Sequence, residues 1–299
     1  MKRFSFLLLL AVSASIVLFT ACQKENLQQV VNPVNSDQVA GERAPFIYGV
    51  SLFSKNNGSL LHTMDAATGQ VINSVQVYLL DANNNQVFLN DLKGVCTYNN
   101  QVWVTTGFHP VDAYSFLLVK VNPQTGQAGI ISHGDPSIGA VSDIDYSPAD
   151  NTVYGLASNT NRLITITDNN NNWGTYTNVG PITGMGNYTA KGLSMVRDNG
   201  GDRIVIAATQ QLNGNAQVYS VGAGAGAANF LAVVNPAANL AAGHCAIGFD
   251  IDLNAMLINR NNSTGLNSFG WANPLPNPSG SGFWGGNEIN FEDLSSDIQ

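Results

Sequence analysis

From Pro45 onward the chain alternates short apolar runs with clusters of small and polar residues. β-Branched and aromatic residues fill Phe46-Ile47-Tyr48-Gly49-Val50, Gln101-Val102-Trp103-Val104-Thr105 and Phe116-Leu117-Leu118-Val119-Lys120-Val121. They do the same in Thr152-Val153-Tyr154-Gly155-Leu156, Arg162-Leu163-Ile164-Thr165-Ile166 and Arg203-Ile204-Val205-Ile206-Ala207. Gly, Asn, Asp and Pro punctuate the gaps, and no segment sustains a helical period with caps. Regular short strands with turn signals between them predict an all-β sandwich, barrel or propeller.

Internal repetition chooses among these. Leu92–Tyr98 leads through Asn99-Asn100 into Gln101–Gly107. Val141–Ser147 leads through Pro148–Asn151 into Thr152–Ser158, and Lys191–Val196 leads through Asp198–Gly201 into Arg203–Thr209. Each reads as strand, turn, strand, with Gly94, Asp143 and Gly192 spaced by 49 and 49. A looser copy runs from Ala246–Ile251 into Ala255–Ile258. Gly58–Gln70 also mirrors Ser115–Gln127, each a strand entering a Thr-Gly turn where Gly supplies positive φ. A period near 50 with four short strands fits propeller blades.

These motifs resemble secreted β-propeller proteins whose blades carry Tyr-Gly followed by Asp/Asn-x-x-Thr-Gly. The resemblance covers about residues 45–260 and implies architecture, since propellers host enzymes, binders and scaffolds alike. The first unit lacks an inner strand before Phe46, and Glu288–Leu294 is the candidate to supply it. Ile289 and Phe291 alternate there with polar neighbours. The expectation is an all-β propeller over residues 45–299. It has five blades of four-stranded antiparallel sheets, with six as the alternative count, closed by the C-terminal strand.

The N-terminus has another pattern. Lys2 and Arg3 precede an apolar run from Phe4 to Phe19, then Thr20, Ala21 and Cys22. That layout is a secretory signal peptide over residues 1–21, and it is shorter than the ~20 apolar residues of a spanning helix. Phe19-Thr20-Ala21-Cys22 resembles the lipobox of bacterial lipoproteins, with Phe19 departing from the usual Leu. The resemblance implies lipid attachment at Cys22, cleavage just before it, and several acyl chains holding the protein on a bilayer. The competing reading is an ordinary signal peptide with an incidental Cys. Residues 22–44 are polar and read as a flexible tether. The implied location is the bacterial cell envelope, at the outer membrane or cell surface.

Charge narrows the partners. Without Lys2 and Arg3, ten basic side chains face twenty acidic ones, a formal charge of −10. Nucleic acid and anionic surfaces need basic patches and are excluded as partners. Charged residues are 11% of the chain against ~25% in an average globular protein, and neutral polar residues replace them. Cys96 and Cys245 remain after Cys22 and read as buried thiols, with a disulfide as the alternative that an oxidising compartment permits.

Candidate chemistry is sparse. There is no Gly-x-Ser-x-Gly elbow, and His62, His109, His133 and His244 lack metal-ligand spacing. No cofactor or metal is expected. Asp81–Asn85 and Asp168–Asn172 offer oxygens at alternate positions but lack the Gly and Glu of an EF-hand loop, so they read as turns. Asp143, Asp145, Asp250 and Asp252 lie in or just after inner strands, where carboxylates at a channel mouth could serve a glycoside hydrolase or lyase. The bland reading has them capping backbone N–H groups. Phe269–Trp271 and Phe283-Trp284 flank a Pro/Gly/Ser-rich loop, and Trp271, Phe283 and Trp284 are the candidate ligand-binding residues. Three readings stand: a non-enzymatic binding module for a glycan, peptide or protein; a polysaccharide hydrolase or lyase; and a structural envelope component.

Overall fold

The computed structural model describes residues 46–295 except 55–57, 66–69, 158–159, 169–172, 199–200, 210–215, 235–244, 251–254, 262–266, 273–280 and 284–290. Over 232–292 it describes the backbone of the strands alone. Cys22, the tether and Trp284 therefore lie outside the described residues.

β1 (Phe46–Ser54), β2 (Gly58–Asp65) and β3 (Val71–Gln76) pair antiparallel in succession. A two-stranded ribbon of β4 (Tyr78–Leu80) and β5 (Gln86–Phe88) follows. The second sheet runs β6 (Leu92–Tyr98), β7 (Gln101–Thr106), β8 (Leu117–Val121) and β9 (Ala128–His133). The third runs β10 (Val141–Ser147), β11 (Thr152–Ala157), β12 (Arg162–Asp168) and β13 (Trp173–Thr183). β14 (Thr189–Asp198), β15 (Gly201–Thr209) and β16 (Ala216–Val221) begin the fourth. β17 (Gly226–Ala227) crosses to pair in parallel with β13, and β18 (Asn229–Val234) then completes the fourth sheet beside β16. The fifth runs β19 (Cys245–Asp250), β20 (Ala255–Asn261), β21 (Asn267–Ala272) and β22 (Ser281–Phe283). β23 (Phe291–Leu294) returns to the first sheet and pairs antiparallel with β1.

The fold is a β-propeller. Inner strand lies beside inner strand around a ring: β6 by β10, β10 by β14, β14 by β19, β19 by β23, and β23 by β6. The 49-residue period falls on β6, β10 and β14, whose hairpins are the three repeated strand-turn-strand units. The closing strand expected over Glu288–Leu294 is present as β23, with residues 288–290 outside the described residues. No α-helix occurs among the described residues; one 3-10 turn spans Asp112–Tyr114.

Local chemistry explains the hairpins. Tyr98 pairs with Gln101, leaving a two-residue loop in which Asn99 and Asn100 take φ of 47° and 57°. That is the positive-φ pair of a type I′ turn, whose twist matches the strands, and Asn tolerates it. Gly126 closes the Asn122–Gln127 turn at φ +78°, and a Cβ there would sit 2.1 Å from the Gln76 carbonyl of the first sheet. Glycine is thus required twice, for the dihedral and for the close approach.

Between sheets the core is apolar. Val50 and Leu61 of the first sheet pack with Leu92, Val95, Val104 and Leu117 of the second, all at 0% exposure. Leu156 and Leu163 of the third pack with Leu193, Val205 and Ile206 of the fourth. Each fully buried aliphatic side chain of this kind contributes roughly 1.5–3 kcal/mol. The inner strands are buried on both faces, as β6 shows, where only Lys93 and Tyr98 retain intermediate exposure.

Ring closure by β23 has a direct consequence. Deleting residues 287–299 removes the strand that pairs with Gly49, Val50 and Ser51. It also exposes an edge that invites aggregation. The melting temperature should drop by about 10 °C or more, or the protein should aggregate; an unchanged melting curve would contradict closure by this strand.

Candidate functional site

Three carboxylates converge on the ring's axis. Asp143 and Asp145 sit two residues apart on β10, and period-two geometry aims both at β14. Asp143 Oδ2 accepts from the Leu193 amide at 2.6 Å, and Asp145 Oδ2 accepts from the Met195 amide at 2.7 Å. The acceptors repeat every second residue on one strand and the donors on the next. Ser194 adds its hydroxyl to Asp145 Oδ2 at 3.2 Å. From the closing strand, Asp293 Oδ2 accepts from the Val95 amide of β6 at 2.7 Å and the Ile144 amide of β10 at 3.4 Å. Between the second and third sheets a neutral residue does this work. Thr105 Oγ1 accepts from Gly94 N at 2.8 Å and donates to the Val141 carbonyl at 2.9 Å. Gly94 has no room for a Cβ, which would meet Ile144 N and Thr105 Oγ1 at 2.8 Å.

These carboxylates do not stand at a channel mouth as the hydrolytic reading requires. Asp143 and Asp293 are 0% exposed and Asp145 is 3% exposed. Burial, and then the charge of Asp293, push Asp143 well above the usual carboxylate range. Burial likewise raises Asp293. The two carboxyl groups are near enough to perturb one another's titration. Two buried like charges repel, so the pair favours the state in which one carboxyl is protonated. Asp143 Oδ1 is buried and has no hydrogen-bond partner among the described residues, which further disfavours a charge on this carboxyl. The pair titrates as a unit and carries one proton above the pH at which an exposed aspartate has lost its own. The same burial and the three acids raise the thiol of Cys96, which is a free, fully buried and unreactive cysteine.

The remaining sequence candidates are dispersed. His62 is buried in the first sheet, its ring nitrogens hydrogen-bonded to Ser74 Oγ and Ser51 Oγ at 2.8 Å each. Burial lowers its pKa from 6.5 to about 4, so the ring is neutral. His109 lies on the loop between β7 and β8, where Nδ1 accepts from the Val111 amide and the ring stacks edge-on with Tyr114 at 5.4 Å. His133 is exposed at the end of β9. His244 and Asp252 lie outside the described residues; Asp250 and Cys245 are described only as backbone of β19. Asp81 accepts from the Asn83 and Asn85 amides at 2.8 Å, a turn cap needing no ion. Asn169–Asn172 lie outside the described residues. Among the described residues no group of three or more His, Cys, Asp or Glu is arranged to hold a metal. Trp271 and Phe283 stand on the paired strands β21 and β22, with only their backbone described.

The structure also gathers an aromatic cluster that sequence reasoning missed. Tyr98 at the end of β6 contacts Trp103 of β7 at 4.7 Å, Tyr146 of β10 at 4.8 Å and Trp173 of β13 at 4.9 Å. Trp103 and Trp173 meet edge-on at 5.1 Å. Trp103 is buried, whereas Tyr98, Tyr146 and Trp173 are half-buried at the outer end of the seam between the second and third sheets. The available signal was positional: each ring except Trp103 flanks a turn, and the repeat brings the turns of adjacent blades together.

No family model matches the sequence, and no curated protein matches it. Among solved structures the chain is similar to a chain of a nidogen/laminin complex at 10% identity and TM-score 0.43, covering 84% of this chain and 97% of that one. It is similar to the periplasmic gluconolactonase of Pseudomonas aeruginosa at 10% identity and TM-score 0.40, covering 84% and 82%. It is also similar to an exo-β-1,3-galactanase of Phanerochaete chrysosporium at 12% identity and TM-score 0.46, covering 70% and 53%. Likeness at this level concerns the fold and leaves ligand and reaction open.

Two opposite pH dependences follow. Unfolded His62 titrates near 6.5 and folded His62 near 4, so the unfolded chain holds more protons in that window. Stability should fall by up to about 3 kcal/mol as pH drops from 6.5 to 4, and His62→Gln should flatten that limb. The Asp143–Asp293 pair behaves inversely. Its raised folded pKa contributes stability that is full below the ordinary 3.8 and is lost as pH rises through the pair's own value. Asp143→Asn removes the buried charge and should melt at or above the wild-type temperature at pH 8. Asp143→Ala leaves the Leu193 amide unpaired and should cost about 1–3 kcal/mol. An Asn variant less stable than wild type at pH 8 would contradict the raised pKa of the pair.

Proposed function

We propose that this chain is a lipid-anchored protein of the bacterial cell envelope whose propeller is a non-enzymatic binding module for a glycan, peptide or protein ligand. The observation that carries this reading is the employment of Asp143 and Asp145. Both are buried and both accept backbone amides of β14, so neither is placed to protonate a leaving group or activate a water. Support for the anchor comes from Phe19-Thr20-Ala21-Cys22 behind an apolar run. Diacylglycerol on the Cys22 thiol, with further acyl chains after cleavage, would supply the stable membrane hold that one chain alone does not. Trp271, Phe283 and Trp284 belong to this proposal as ligand-binding residues.

Two measurements test it. Full-length protein made in a bacterial host should partition into detergent, and Cys22→Ser should move to the aqueous phase; equal partitioning would refute the anchor. The purified domain, incubated with extracellular polysaccharides, should release no reducing ends and no unsaturated products. Release that Asp143→Asn or Asp145→Asn abolishes would replace the binding reading with the hydrolase or lyase one.

A further inference from the structure

The loop between β7 and β8 sets an apolar tip on a rigid base. Phe108 is 65% exposed and Val111 is 51% exposed, with Pro110 and Ala113 exposed beside them. The other large apolar side chains exposed among the described residues, Phe46, Ile72, Leu80, Phe88, Ile130 and Phe230, stand on strands. The base of the loop is tied from both sides. The Asp91 carbonyl accepts from the Gly107 amide at 2.6 Å, and Asp91 Oδ2 accepts from the Phe108 amide at 2.9 Å. Asp91 Oδ1 meanwhile pairs with Lys93 Nζ at 2.8 Å. Phe116 returns the chain to β8 at φ 55°, a conformation that is strained for a bulky residue. Two bonds hold it there: its amide donates to the Gly107 carbonyl at 2.9 Å, and its carbonyl accepts from the Gly134 amide at 2.7 Å.

Hydrogen bonding inside the tip decides which kind of partner fits. Ser115 Oγ accepts from the His109 amide at 2.8 Å and donates to the His109 carbonyl at 3.0 Å. The Val111 amide donates to His109 Nδ1 at 3.0 Å, and the Val111 carbonyl accepts from the Tyr114 amide at 2.9 Å. Pro110 has no N–H to place. Every amide donor from Gly107 to Val111 is therefore used within the protein. A protein contact surrounds its apolar centre with direct hydrogen bonds. A lipid surface offers few, and it requires backbone that enters it to be satisfied internally. This tip meets that requirement.

The bilayer is also within reach. Residues 23–45 separate the lipid expected on Cys22 from Phe46. A segment of that length extends up to about 80 Å. Phe46 opens β1, which holds in its sheet the place of β7, so the tip after β7 stands one strand's length from the end of the tether. A strand as long as β1 rises about 30 Å, well inside that reach. Asp112, exposed next to Val111, stays among the headgroups and limits the contact to the interface. The acidic net charge of the chain favours neutral over anionic headgroups.

We infer that the β7–β8 loop is a second point of membrane contact, at which Phe108 and Val111 enter the interface of a zwitterionic bilayer while the lipid on Cys22 anchors the chain. This rests on the anchor reading and adds a surface of the propeller to it.

Full-length protein from a bacterial host, reconstituted into phosphatidylcholine vesicles with brominated acyl chains, tests both. Flotation reports the anchor, and quenching of tryptophan by bromine reports the loop. Phe108→Trp and, separately, Val111→Trp each add fluorescence to that of the wild type. Half or more of the added intensity should be lost relative to unbrominated vesicles. Phe230→Trp, on β18, is the control and should keep its added intensity. Should one loop variant misfold, the other carries the measurement. A chain that fails to float overturns the anchor and this contact with it. A chain that floats with the added loop tryptophan unquenched overturns the loop contact alone and leaves Phe108 to a protein partner. Equal quenching in Phe230→Trp also overturns it, because the bilayer contact would then not belong to the loop.

Discussion

A ring of separate sheets has a difficulty that a barrel does not. Each inner strand pairs on its outer side and leaves a row of amides and carbonyls facing the axis, buried and without a ladder partner. In this chain side chains of the neighbouring sheet fill that row. Asp143 and Asp145 take the Leu193 and Met195 amides, Asp293 takes the Val95 amide, and Thr105 joins Gly94 to Val141. These bonds are directional, and they set the register of one inner strand against the next. The apolar packing behind them, Leu against Val, would tolerate a slip far more readily.

Using carboxylates for this purpose concentrates charge where water is absent. Three acids surround the axis with Cys96 among them, and burial makes full ionisation unfavourable. Protonation of one carboxyl of the Asp143–Asp293 pair resolves part of the conflict. The first sheet carries the opposite arrangement, a buried neutral His62 held by two serines. The two devices oppose one another in pH, one weakening the fold toward acid and the other toward base.

The architecture was legible because it is repetitive. A 49-residue spacing of Gly94, Asp143 and Gly192 marks three inner strands, and a missing strand before Phe46 implies one from the other end of the chain. The site was legible only in part. Asp143 and Asp145 stood out as an alternating pair, but nothing in one sequence distinguishes a carboxylate facing solvent from one facing the amides of a neighbouring blade. That difference depends on the phase of the blade, set by contacts between strands about 50 residues apart, as Asp143 to Leu193 shows. The aromatic seam was invisible for the same reason. Tyr98, Tyr146 and Trp173 come from three strands of two sheets, and no linear pattern joins them. Attention went instead to the dense aromatic stretch at Phe269–Trp284, where proximity in sequence is easy to see.

The division of labour between axis and rim bears on what kind of activity this fold supports. Polar groups at the described part of the axis are bound to one another, and moving any of them exposes a neighbour's amide or charge. Such residues are held in place by the amides they accept from. The turns at the sheet ends are under no such constraint. Asn99, Asn100 and Asn151 meet a backbone requirement for positive φ through their conformation and keep side-chain groups directed at solvent.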